Sequence, residues 1–193
     1  MRMRNVSGVF GLAVFIVVFF FVTGTAFSAK LLTKDNDFHD PDEVWDFIPD
    51  YTDMAEGDDI DWVWTKPGVS IPTFKTAAVP KFENISRQVD VYSQDLLTST
   101  MKEGVGRLGL KSVDKGGAIT IRGAMVDYFN GSTAANIWVG WGAGNPFVEV
   151  EVYVIDNATG EIISKVRHQA QSYSIETAIS EVITEIINYW GTK

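Results

Sequence analysis

The sequence predicts an α+β fold in which two helices pack on a mainly antiparallel sheet, after an acidic N-terminal arm. Patterns typical of strands and helices follow in the order strand, helix, several strands, helix. Acidic residues are concentrated early, since residues 30–66 hold 3 Lys against 12 Asp and Glu while residues 67–193 are almost neutral. We therefore predict a signal peptide or anchor at 1–28, an arm at 29–68 that contains aromatic residues, and an α+β domain at 69–193.

An export signal is predicted at the N-terminus. Two arginines precede an uncharged apolar run at residues 9–22, and small side chains follow. Signal peptidase accepts small residues at the first and third positions before its cut, which predicts cleavage after Ser28. The alternative is an uncleaved inner-membrane anchor, because residues 6–29 carry no charge and are long enough to span a bilayer. Both interpretations predict a periplasmic or otherwise exported domain.

Composition limits the classes of partner. The net charge of −9 disfavours nucleic acid and anionic lipid surfaces, so we expect membrane contact only through an uncleaved N-terminal segment. The absence of Cys excludes disulfides and a lipid-bearing cysteine, and it suits a bacterial periplasm. We expect the aromatic and apolar side chains of the arm to lie on the domain while its carboxylates face water. These side chains are Trp45, Phe47, Ile48, Tyr51, Trp62 and Trp64.

In the first half of the domain, the sequence pattern predicts a strand at 73–79, a helix at 88–108 and a long strand at 118–129. The strand ends at Pro80, which cannot donate to a sheet ladder. The helix has apolar residues every three to five positions. Those residues are Val89, Tyr92, Leu96, Met101, Val105 and Leu108.

The second half predicts a β-hairpin and a final helix. Strict alternation of valines marks 147–156 as a strand, residues 157–160 form a turn, and 162–171 returns antiparallel. Opposite charges favour a register with Glu151 opposite Lys165 on the solvent face, which also places Glu149 opposite Arg167. The helix extends over 174–190 with an N-cap at Ser174. Its apolar stripe comprises Ile175, Ala178, Ile179, Val182, Ile183, Ile186, Ile187 and Trp190.

A glycine-rich stretch at 131–144, flanked by aromatic residues, is the candidate partner-binding site. Rings beside glycines are typical of a flat platform for a partner protein or a sugar, and the alternative is that about half of them pack inside the fold. The candidate binding residues are Tyr128, Phe129, Trp138, Trp141 and Phe147. A carbohydrate-binding or glycoside-hydrolysing domain would use the same rings with carboxylates such as Asp127.

No motif predicts a cofactor, a metal or a catalytic centre. The Gly-rich segment at 140–144 precedes a strand rather than a helix, which disfavours a nucleotide site. The acidic run that starts at Asp35 lacks the Gly and Glu of a calcium loop. Only two His and no Cys are present, so a zinc site would need both histidines with carboxylates, and His168 is expected at the surface or edge of the sheet. We therefore expect a protein that is not an enzyme.

From about residue 47 to 190 the chain resembles bacterial envelope proteins of uncharacterised, often lipid-anchored families. The resemblance rests on residues 51–54, 62–64, 75–80, 131–132, 139–144, 150–152 and 156–161. It implies a small α+β envelope domain, comparable to periplasmic activators of cell-wall synthases and to secretion-associated lipoproteins, which act by binding other proteins.

This sequence departs from that pattern in two places. It lacks the lipid-bearing cysteine, and Asn136 stands where relatives tend to have Arg. The expected function is non-catalytic binding or assembly with an envelope protein.

Overall fold

The computed structural model describes residues 47–86, 90–131 and 144–193. These ranges form an α+β fold of eight strands and two helices, so the predicted fold class is confirmed. The strands are β1 (Ala55–Glu56), β2 (Trp62–Thr65), β3 (Thr76–Ala78), β4 (Glu83–Asn84), β5 (Lys111–Val113), β6 (Ile119–Phe129), β7 (Phe147–Asp156) and β8 (Ile162–Gln171). The helices are α1 (Val91–Arg107) and α2 (Ile175–Gly191).

Strands β6, β7 and β8 form an antiparallel meander at the centre of the sheet. The order across the sheet is β1-β2-β8-β7-β6-β3-β5, and β4 pairs with β6 beyond the end of β3. The pairs that involve β3 and β4 are parallel, whereas those of β1, β2, β7 and β8 are antiparallel. The sheet is therefore mainly antiparallel, as predicted.

The bounds of β7 and β8 agree with the predicted hairpin, but the predicted register is wrong by two residues. Glu151 lies opposite Arg167, and Tyr153 lies opposite Lys165. A bulge between Val154 and Ile155 accounts for one residue of this shift, and charge pairing could not reveal the error because Lys165 and Arg167 are both positive. Because the shift is even, every side chain keeps its predicted face.

Helix α2 lies on one face of the sheet and buries its whole predicted apolar stripe. Ser174 caps the helix as predicted, since its Oγ accepts a hydrogen bond from the Thr177 N–H at 3.2 Å. Near the other end, the Trp190 indole donates to Ser164 Oγ of β8 at 3.0 Å. Within the described ranges, neither helix has the length and apolar character needed to cross a bilayer.

The predicted core face of α1 is wrong in part. Met101 and Val105 are buried, but Tyr92 is exposed, and Leu97 and Gly104 face the core. Spacings of three to five residues fit several helix faces, so the pattern did not fix the face. At Gly104 an added Cβ would lie 2.8 Å from Ile187 Cγ1, which shows how closely the two helices pack.

The sheet extends into the predicted acidic arm. Strand β2 pairs with β8, and β1 continues the sheet at its edge. By contrast, the strand predicted at 73–79 is only three residues long, because residues 71–73 form a 3-10 turn that contains Pro72.

Residues 47–52, here called the strap, lie on the face of β7 and β8 opposite the helices. The Phe47 ring lies 5.3 Å from the Tyr153 ring, and Ile48 is 1% exposed. The expected packing of arm side chains on the domain is confirmed for these two, and Trp45 lies outside the described residues. The predicted solvent face is therefore covered, since Glu151 is fully buried. The sequence prediction of a wet face there was wrong because the strap comes from a hundred residues earlier in the chain.

Candidate interaction surface

Three of the five predicted binding residues lie at one end of the sheet. Tyr128 and Phe129 are the last residues of β6, and Phe147 is the first of β7. Trp138 and Trp141 lie outside the described residues. The sheet thus brings the described members together at the end from which the glycine-rich segment continues.

The three described rings lie on two faces of the sheet. Tyr128 is 4% exposed and belongs to the core beneath the helices, together with Val148, its partner in the register. Phe129 and Phe147 lie opposite each other on the other face, with ring centroids 6.0 Å apart. Tyr128 and Phe147, which is 8% exposed, therefore pack inside the fold, whereas Phe129 is half-buried.

Tyr128 joins the end of the sheet to the start of α1. Asp90 is the N-cap of α1 and accepts hydrogen bonds from the Ser93 N–H at 3.0 Å and the Ser93 hydroxyl at 2.7 Å. Burial, together with a hydrogen bond to Asp90, raises the pKa of Tyr128 to about 12. Burial alone would raise the pKa of Asp90, but hydrogen bonds from Tyr128 and Ser93 outweigh it and lower that pKa.

Replacing Tyr128 by phenylalanine is expected to lower the free energy of unfolding by about 1–2 kcal/mol, because the half-buried Asp90 carboxylate loses a donor. Urea unfolding measures this loss. In an ultraviolet titration, the wild type should show a tyrosine that ionises only near pH 12. This signal should be absent from the variant. Equal stability of the two proteins would contradict the assigned contact.

Both helices begin at this same end. The Tyr92 hydroxyl of α1 lies 3.4 Å from Glu176 Oε1 in the first turn of α2. Farther along, Gly104 lies against Ile187, so the helices run parallel. The N-terminal turns of α1 and α2 therefore flank the end of β6 and the start of β7.

Every exposed large hydrophobic side chain of the described residues belongs to this end. Val91 is 56% exposed, Tyr92 59% and Tyr173 82%. All three flank the N-caps Asp90 and Ser174 of the two helices. We call the surface formed by Val91, Tyr92, Phe129 and Tyr173 the aromatic end. Sequence reasoning missed its helical part because Tyr92 fitted an apolar helix pattern and residue 173 followed a strand.

A buried ionic network lies on the strap side of the sheet. Arg167 Nε lies 2.5 Å from Glu149 Oε1, and its Nη1 lies 3.6 Å from Glu151 Oε1. Burial raises the pKa of both glutamates, and the charge and hydrogen bonds of Arg167 act against this shift at Glu149. Among the described residues, Glu151 Oε1 has no hydrogen-bond partner.

Two charged side chains hold the strap. Glu151 Oε2 accepts hydrogen bonds from the Ile48 N–H at 3.1 Å and the Tyr51 hydroxyl at 2.7 Å. Lys165 Nζ donates to the carbonyl oxygens of Asp50 at 2.7 Å and Thr52 at 3.0 Å. Glu151 and Lys165, which were predicted to face solvent, therefore bind the strap.

His168 is buried, so its expected place at the surface or edge of the sheet is wrong. It points to the helix side, where Asp61 and Glu185 each approach one ring nitrogen. Beside Glu185 is a cleft of about 380 Å³ between the β1–β2 hairpin and the C-terminal half of α2. Its lining includes Glu56, Asp58 and Asp59. Within the described ranges, no three His, Asp or Glu side chains converge to form a metal site.

Several solved structures are similar to the described chain at low identity. A PelC dodecamer from Paraburkholderia phytofirmans is 13% identical over 65% of this chain and 93% of its own, with a TM-score of 0.47. The lipoprotein GNA1162 from Neisseria meningitidis is 11% identical over 59% and 99%, with a TM-score of 0.41. A DUF4136 family protein from Bacteroides thetaiotaomicron is 13% identical over 67% and 92%, with a TM-score of 0.39.

No curated protein matches the chain. The resemblance to an uncharacterised family is supported by a family model, whereas the comparison with activators of cell-wall synthases stays a prediction. Residues 89–175, from the start of α1 to the start of α2, match the model of a domain of unknown function (DUF4410), and this part of the chain is similar to that family.

Proposed function

We propose that this protein is a non-catalytic, exported envelope protein that binds a partner protein through its aromatic end. The observation that carries the proposal is the placement of exposed apolar side chains. Val91, Tyr92 and Tyr173 are the exposed large hydrophobic side chains of the described residues, and all lie beside the strand ends that border segment 131–144. Exposed apolar side chains that gather at one place are typical of an interaction surface.

Three further points support this function. Phe129, which is half-buried against the buried Phe147, extends the surface onto the second face of the sheet, and aromatic side chains are enriched at protein interfaces. The export signal predicted at 1–28 supports an envelope location. The charged groups in the interior, Glu149, Glu151 and Arg167, are engaged with one another or with the strap, as a structural network requires.

Crosslinking and affinity capture from an envelope fraction would test the proposal. The wild type is compared with Tyr92→Ser/Tyr173→Ser and with Trp138→Ala/Trp141→Ala. The matched control is Lys115→Ser/Thr159→Ser, which changes two exposed side chains at the opposite end of the sheet. We expect the same captured protein with the wild type and the control, and a loss of at least fivefold with both aromatic variants, by analogy with the contribution of buried interface aromatics.

Equal capture by all four proteins would contradict the use of this end. Binding to peptidoglycan fragments in place of a protein would overturn the proposed partner class and favour the carbohydrate-binding alternative. Melting temperatures of the variants establish that each one is folded before capture is compared.

A further inference from the structure

His168 connects three separate parts of the fold. It belongs to β8, while Asp61 immediately precedes β2 and Glu185 lies in the middle of α2. Its Nδ1 lies 2.9 Å from Asp61 Oδ2, and its Nε2 lies 2.5 Å from Glu185 Oε2. The imidazole is 7% exposed, whereas the side chains of Asp61 and Glu185 are 30% and 42% exposed. One side chain thus links the β1–β2 hairpin to the helix layer.

The hydrogen bonds of this link depend on the number of protons on the ring. An imidazolium donates from both nitrogens and satisfies both carboxylates. A neutral ring protonated at Nε2 keeps its bond to Glu185 and can accept from the Asp61 N–H, which lies 3.2 Å from Nδ1. It then directs a lone pair at Asp61 Oδ2, an oxygen that also accepts from the Gln169 N–H at 2.8 Å. Loss of the proton therefore exchanges a charge-assisted bond to the Asp61 carboxylate for a bond from the Asp61 N–H to a neutral ring, and charge-assisted bonds are about twice as strong.

The surroundings favour the protonated ring. Asp61 and Glu185 are the charged groups that contact it, and the acidic side chains of the adjoining hairpin add to their field. On β7 the residue opposite His168 is the apolar Val150. The charged groups of the adjoining cleft are Glu56, Asp58, Asp59, Glu185 and Lys193. Among the described residues, negative charge therefore predominates around the imidazole.

We propose that His168 is a proton-operated clamp that holds the β1–β2 hairpin against α2 when it is protonated and loosens the hairpin as the pH rises. Burial opposes the charge on the ring, but hydrogen bonds to Asp61 and Glu185 outweigh it and raise the pKa of His168 above its ordinary value of 6.5. The contribution of the clamp is therefore complete below pH 6.5 and is lost as the pH rises through the folded-state pKa. This device does not depend on the aromatic end.

Two measurements test the clamp. His39 is the only other histidine, so the NMR imidazole signals of a His39→Gln protein report His168 alone. We expect its pKa to lie above 6.5, and we expect Glu185→Gln to lower it. Hydrogen exchange of the hairpin amides is then compared with His168→Gln at each pH, which cancels the intrinsic pH dependence of exchange. Hairpin protection in the wild type should exceed that of His168→Gln by about fivefold at pH 5.5 and approach it at pH 9.

Lys66→Gln is the matched control, because it removes an exposed ion pair with Glu161 beside the same hairpin without touching His168. The control should keep the wild-type dependence on pH. If His168→Gln fails to fold, Glu185→Gln tests the same point, since Glu185 is 42% exposed at its side chain. A His168 pKa at or below 6.5, or equal pH dependence in the wild type and Glu185→Gln, would overturn the proposal.

Discussion

Replacing Arg167 by methionine is expected to lower the free energy of unfolding by about 3–5 kcal/mol at neutral pH. The guanidinium is the cation between Glu149 and Glu151, both of which are largely or fully buried. Removing one member of a buried ion pair leaves charge without compensation, which costs more than the pair itself contributes. Chemical denaturation at pH 7 measures the loss, and circular dichroism establishes that the variant folds.

The defect should shrink as the pH falls. Burial raises the pKa of both glutamates, so each group destabilises the folded state as the pH rises above 4.5, its ordinary pKa, through its folded-state pKa. Without Arg167 these pKa values rise further, and acid should restore part of the lost stability. The control is Lys81→Met, which breaks an exposed pair with Asp95 and should cost less than about 1 kcal/mol. A defect in Arg167→Met that is equal at pH 5 and pH 8 would contradict this account.

Gly123→Ala is expected to be the most damaging small substitution in the sheet. An added Cβ would lie 2.3–2.6 Å from three ring carbons of Phe82, which is fully buried. The backbone of Phe82 is fixed by two hydrogen bonds, which limits how far its ring can move. Its N–H donates to Thr98 Oγ1 at 3.0 Å, and its carbonyl accepts from Gln94 Nε2. Overpacking of this kind costs about 1–3 kcal/mol or more, and thermal unfolding measures it.

A double-mutant cycle separates the clash from other effects of alanine. Phe82→Leu removes the ring atoms that the new methyl group would meet, so Gly123→Ala should cost less in the Phe82→Leu background than in the wild type. Gly106→Ala is the control, since an added Cβ there meets nothing within 4 Å. In a helix this substitution should stabilise the protein by about 0.5–1 kcal/mol. Additive effects of Phe82→Leu and Gly123→Ala would contradict the assigned contact.

Local patterns predicted the second half of the fold well. Alternating valines identified β7, and the apolar stripe from Ile175 to Trp190 identified α2, because in each element the aliphatic side chains recur on one face. The register of β7 against β8 could not be predicted, since the bulge at Val154 adds a residue that charge pairing does not reveal.

Burial by distant segments was the main limit on predicting the site. Glu151 and Tyr153 look solvent-facing along β7, and only the strap buries them. His168 was predicted at the surface because the residues near it in sequence do not indicate its contacts with Asp61 and Glu185. The predicted binding residues Tyr128, Phe129 and Phe147 lie at one end of the sheet, but alternation along β6 separates Tyr128 from Phe129, and no local pattern predicted that Tyr173 would be exposed.

The strap also defines how the domain would carry a mechanical load. Its anchors Glu151 and Lys165 lie on β7, the middle strand of the sheet, and on the neighbouring β8. A pull on the chain before residue 47 would therefore enter the sheet at its most strongly paired strands instead of peeling an edge. If the N-terminal segment remains in a membrane, tension on that segment would act on the central strands β7 and β8 and not on the β1–β2 hairpin at the edge of the sheet.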